Sequence, residues 1–130
     1  MSEYGDRIAD LAERARRDRE TFEPPETPPD EEAALTYARD GVGPVVAIYV
    51  DARAGADAPV AFDPAEFELL ERAMNDWLEL YAACYGVEID AAFTVREAAE
   101  LLIDTHDIND TAMLLTGVQP RNRDTDEENG

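Results

Sequence analysis

Apolar positions recur along most of this chain at helical spacing. In residues 3–22, Tyr4, Ile8, Leu11, Ala15 and Phe22 return at steps of three, four and seven, the signature of one face of an amphipathic helix. Charge fills the other faces, with Asp10–Arg14 and Glu13–Arg17 at the favourable spacing of four. The widest stripe falls in residues 64–85, where Phe67, Leu70, Met74, Trp77, Tyr81 and Cys84 share a face flanked by Leu78 and Tyr85. A face that broad predicts the central core helix. Its start is written as Asp63-Pro64-Ala65-Glu66, a cap, a first-position proline and a third-position acid, and Gly86 ends it. Thr94-Val95-Arg96-Glu97 is a second capping box. It opens a helix whose apolar positions are Val95, Ala98, Ala99, Leu101 and Leu102. A short last helix over residues 109–116 turns Ala112, Met113 and Leu115 inward and stops at Gly117.

Prolines and glycines punctuate what lies between. Residues 23–29 carry four prolines, which predict a stiff extended linker. Thr27 is positioned to cap the next helix, with Pro28 at its first position, and that helix is expected to stop at Gly41. Residues 44–53 read two ways. Val45, Val46, Ile48, Tyr49 and Val50 are strand-formers. Pro44 nevertheless suits a helix start, Val45, Ile48, Tyr49 and Ala52 have helical spacing, and Gly55 is a natural stop. A strand would also need residues 60–62 or 87–93 as its partner. The helical reading is preferred, so the expected fold is mainly α. The alternative is α+β with a small sheet including residues 44–53. The domain plan has four parts: an N-terminal helix (1–22), a linker (23–29), a helical core (30–118) and a disordered acidic tail (119–130).

Composition changes the picture in one respect. Among 130 residues are 31 Asp and Glu against 11 basic residues, all of them Arg, for a formal charge of −20. Up to Phe22 five Arg face six acids, so nearly all the excess lies beyond the first helix. Such a charge destabilises a compact chain in dilute buffer, and at about 1 M salt a Debye length of about 3 Å screens it. Arginine pairs with carboxylates through a rigid fork that lysine lacks. This pattern predicts a protein adapted to high intracellular salt, losing helical structure at low salt. A single cysteine, Cys84, excludes an internal disulfide and fits a reducing cytoplasm. No apolar run approaches the length of a membrane span, and residues 1–10 lack a signal-peptide core.

Candidate chemistry is sparse. Asp104, His106, Asp107 and Asp110 have the donor types of a carboxylate–imidazole metal site, and the His-Asp pair resembles metal phosphohydrolases. Those enzymes need further histidines, and His106 is the only one. The bland reading of the run is an inter-helix turn capped by Asp107 or Asn109. Cys84, Trp77, Tyr81 and Tyr85 read as core. Ser2 is the only serine, and Gly41-Val42-Gly43 is too short for a nucleotide loop. The sequence therefore implies no cofactor and argues against an enzyme.

Phe93-Thr94-Val95-Arg96-Glu97-Ala98-Ala99-Glu100-Leu101-Leu102 resembles the opening helix of MerR- and excisionase-type helix-turn-helix proteins. That resemblance implies DNA binding through residues 94–117, with Arg96 as its cation. The turn that follows is long and acidic, and residues 111–116 carry no basic side chain. By composition, and by the Met74-to-Gly86 stretch, the whole chain resembles small uncharacterised haloarchaeal proteins classed as domains of unknown function. The leading expectation is a non-enzymatic interaction or regulatory protein. Its partner, another protein or a second copy, would be met through Tyr4, Ile8, Leu11, Ala15 and Phe22, with Arg14, Arg16, Arg17 and Arg19 beside them. Those four arginines could instead pair locally or dock the helix on the acidic body.

Overall fold

The computed structural model describes residues 4–53 and 63–118. The Gly55 stop, the 60–62 strand partner and the tail of residues 119–130 lie outside the described residues. The central element is α4 (Pro64–Cys84), which begins as its capping box predicts: the Asp63 N–H donates to Glu66 Oε1 at 3.1 Å, and Asp63 in turn accepts from the third helical N–H. The chain leaves the helix through Gly86 at φ +79°, a left-handed conformation that glycine adopts without a Cβ penalty. Leu70, Met74, Trp77, Leu78 and Tyr81 are buried on its inner face.

Helix α1 (Gly5–Thr21) lies along α4 and shares its core. Ile8, Leu11 and Ala15 are buried, while Tyr4 and Phe22 pack on the core edge. Burying an Ile or Leu side chain stabilises by about 1.5–3 kcal/mol. The amphipathic stripe of the first helix is thus covered by the chain's own body. The end of the linker is tied to the body as well, because the Asp30 N–H donates to the Cys84 carbonyl at the end of α4 at 2.8 Å.

Helix α2 (Glu31–Tyr37) is capped by Asp30, which accepts from the Ala33 N–H at 3.1 Å, and not by Thr27. The residue before a proline is driven out of helical conformation, so Pro29 keeps Pro28 from opening the helix. The linker is also not extended throughout as expected, because residues 26–28 bend before Asp30. Nor does the helix stop at Gly41. It passes through one π-turn (Ala38–Val42) into α3 (Gly43–Arg53), so residues 44–53 are helical. Pro44 has no N–H for the Asp40 carbonyl four residues earlier, and its ring would collide there. The widened turn makes room, with the Gly43 N–H reaching the Ala38 carbonyl five residues back. Arg14 of α1 donates to the stranded Asp40 carbonyl at 3.1 Å. The strand-forming residues Val45, Val46 and Ile48 are buried in α3, and that burial overrides their propensity.

Residues 87–94 run extended along the polar flank of α4. Ala91 donates to Glu79 at 3.0 Å, Phe93 to Asn75 at 2.9 Å and Val95 to Glu71 at 2.9 Å. Asn75 also donates back to the Phe93 carbonyl at 3.0 Å. The match is geometric. Four helical residues rise about 6 Å and two extended residues about 6.6 Å, so every fourth side chain of α4 meets every second amide of the strap. Asn75→Ala removes both bonds to Phe93 and is expected to cost about 2 kcal/mol. Urea denaturation in molar KCl would measure it, and a loss under about 0.5 kcal/mol, the scale of an inconsequential surface change, would show the strap is held by other contacts.

Two helices complete the fold. Helix α5 (Val95–Thr105) carries the predicted capping box, with Thr94 accepting from Glu97. Helix α6 (Ile108–Thr116) starts one residue earlier than expected, capped by Asp107, and ends at Gly117 with φ +77°. Both pack against the α2–α3 arm as well as each other. There is no strand among the described residues.

Candidate functional site

The four clustered arginines of α1, Arg14, Arg16, Arg17 and Arg19, divide into two pairs. Arg16 bonds Glu13 and Glu20 at 2.6 Å each, and Arg17 lies 3.6 Å from Glu13. The Arg16 hydrogen bond, with its charge, holds the Glu13 carboxyl below its ordinary range. Arg19 instead crosses to Glu79 and, at 3.1 Å, to Asp76 on α4. Burial pushes the Asp76 carboxyl up, and Arg19 offsets this only in part. Arg14 stacks over the Trp77 ring at 5.6 Å while serving the Asp40 carbonyl. On the ring's edge, Trp77 Nε1 donates to Asp18 at 2.9 Å. Two of the four therefore pair within α1, and two fasten it to the body. The groove between α1 and α4, about 760 Å³, is lined by Arg16 and Arg19 already engaged with carboxylates.

The His106 run makes a turn. Asp107 accepts from the Asp110 N–H at 3.0 Å as the cap of α6. His106 is the left-handed residue that ends α5, at φ 58°. Asp104 and Asp110 point to solvent. Among the described residues no three His, Cys, Asp or Glu groups gather closely enough to hold a metal ion. The four residues singled out as a metal set are not assembled, because the Asp107 carboxylate is committed to its own backbone.

Cys84 is buried and its thiol is pushed up to about 12, first by burial and then by the charge of Asp30. Tyr81 is buried, donates to Asn109 Oδ1 at 2.8 Å, and its hydroxyl is likewise raised, mainly by burial. Both groups keep their protons in the folded state at pH values where the unfolded chain has lost them. Stability is therefore expected to fall as pH rises from about 9, the ordinary thiol value, towards 12. Thiol alkylation at pH 8 should be blocked in the folded protein and proceed on unfolding. Rapid labelling of the folded chain would contradict the burial.

A second groove, about 440 Å³, opens between α3 and α5. Tyr49, Val50, Ala99 and Ile103 form its apolar lining, and Arg53, Arg96 and Glu100 stand around it. Ile103 is 64% exposed and Val50 40%. Arg53 lies 5.6 Å over the Tyr49 ring and pairs with no carboxylate among the described residues. Arg96 lies 3.2 Å from Glu100 one turn along α5.

A family model, described as a domain of unknown function (DUF8055), matches residues 2–120. The chain belongs to this family. The matched span takes in α1, the linker and all the helices that follow, so the family's unit is the whole described body. No curated protein and no solved structure matches the chain. No helix among the described residues is long and apolar enough to cross a membrane.

Arg96, the cation implied by the helix-turn-helix resemblance, is exposed on α5. The expected long turn is only His106 and Asp107, since α6 begins at Ile108. The single charged side chain of α6 is Asp110. The α3–α5 groove was missed by sequence reasoning. Its one signal was surplus apolar content, Val50 and Ile103 lying outside the buried positions of their helices.

Proposed function

We propose that this chain is a non-enzymatic interaction protein of regulatory type, working in a cytoplasm of high salt and engaging a protein partner through the groove between α3 and α5. The observation that carries this reading is the exposed Ile103 beside an apolar cleft flanked by Arg53 and Arg96. On a chain with 31 acids and 11 arginines, two arginines framing apolar side chains make a place where an acidic protein gains both burial and charge pairing. The stripe of α1 is used up in the core, so the partner surface moves from the first helix to this cleft. The salt reading rests on the lysine-free, carboxylate-rich composition.

The test compares tagged wild type with Ile103→Asp in native capture from source-cell lysate held in molar KCl. A stoichiometric protein held by wild type and lost from the variant is the expected result. A partner retained equally by both would sink the groove as the contact surface. Nucleic acid is quantified in the same fraction. DNA enrichment that Arg96→Ala abolishes would replace this reading with a helix-turn-helix function of residues 94–117.

A further inference from the structure

We propose that the α3–α5 groove is filled by helix α6 of a second copy of this chain, in a two-fold pair that puts each copy's Leu114 into the other's cleft. The inference rests on the reading of that groove as an interaction surface and names its occupant. Ile103 and Leu114, at 64% and 60% exposure, are the most exposed large apolar side chains among the described residues. They sit on α5 and α6, which pack against each other. Isolated exposed apolar side chains are ordinary, but a knob on one helix and a concave apolar lining on its neighbour form a matched pair of surfaces.

The charges match as well. Asp110 lies one turn before Leu114 on α6, and both are exposed, so the knob carries a carboxylate beside it. The cleft carries Arg53, and Arg96 paired with Glu100, beside its apolar lining. Docking α6 of a copy brings Asp110 towards arginines of which Arg53 has no carboxylate partner among the described residues. In the two-fold pair each copy offers its knob to the other's cleft, and the assembly closes at two. Molar salt screens the long-range repulsion between two such acidic bodies while leaving apolar burial and short-range pairing in place.

The experiment is sedimentation equilibrium of the full chain in molar KCl over a wide range of protein concentration. Wild type is expected at twice the chain mass. Leu114→Arg and Ile103→Asp should sediment at the chain mass with unchanged far-UV helical signal, since both side chains are exposed and neither supports the core. Arg53→Asp with Arg96→Asp should raise the dissociation constant at least about tenfold, and adding Asp110→Arg should restore it. Pairing that survives Leu114→Arg with its helical signal intact overturns the proposal. A ladder of larger species overturns the two-fold arrangement. A wild type of single-chain mass overturns the second copy as occupant, yet the interaction reading stands if lysate capture still depends on Ile103.

Discussion

Gly41→Ala is expected to destabilise the protein by about 2–4 kcal/mol, although alanine is the better helix former by about 1 kcal/mol. The reversal comes from Trp77. A Cβ on Gly41 would stand 2.4, 2.6 and 2.8 Å from three atoms of the indole ring. Neither side can give way cheaply. The ring is held at its edge by Asp18 and on its face by Arg14, and the backbone at Gly41 is fixed in the π-turn. Trp77→Leu alone should cost about 3 kcal/mol through the lost volume. In that background Gly41→Ala should become neutral or stabilising, because its obstacle is gone. Urea midpoints of the four chains in molar KCl give the coupling directly. A Gly41→Ala protein as stable as wild type would mean that the ring does not rest on this backbone.

Dialysis from molar KCl into dilute buffer is the second large effect, with most of the far-UV helical signal expected to disappear. Pairing each of the 11 arginines with one of the 31 acids leaves 20 carboxylates uncompensated. The visible pairs are mostly exposed, such as Arg16 with Glu13 and Arg96 with Glu100, and exposed pairs contribute only about 0–1 kcal/mol each. The Debye length grows from about 3 Å at 1 M salt to about 10 Å at 0.1 M, so repulsion between neighbouring helices returns as salt is removed. Salt also strengthens apolar burial, and a sucrose control separates the two causes: an osmolyte replaces that effect but screens nothing. Cys84 should become alkylable in the same transition. Full helical signal in dilute buffer would remove the high-salt reading of the composition.

The parts of the fold that were legible are those where two local signals agree. At α4 and α5 a capping box and a helical apolar period coincide, and both helices begin where they predict. Residues 44–53 are the helix that the spacing favoured, but the stop expected at Gly41 is absent because that signal is real but local. Gly41 would end an isolated helix and Pro44 would start a new one, and it takes Trp77 and Arg14, from elsewhere in the chain, to make a glycine and a stranded carbonyl useful there. Thr27 does not cap α2 because Pro29 keeps Pro28, the expected first helical residue, out of helical conformation. The stripe of α1 was plain, but periodicity says only that a face needs cover, never which body supplies it. The α3–α5 groove joins Tyr49 and Val50 to Ala99 and Ile103 across about fifty residues of chain, a pairing that only the packed helices create.

The strap along α4 also leaves a mark that amide hydrogen exchange can read. The N–H groups of Ala91, Phe93 and Val95 are each taken by a side chain of α4, while those of Asp90 and Ala92 face the other way in an extended chain. Slow and fast exchange should therefore alternate from Asp90 to Phe93, as at the edge of a sheet, until Thr94, whose N–H is taken by Glu97 at 2.9 Å. A protein whose described residues include no strand would show a strand's protection pattern, imposed by a helix that stands in for the missing neighbour.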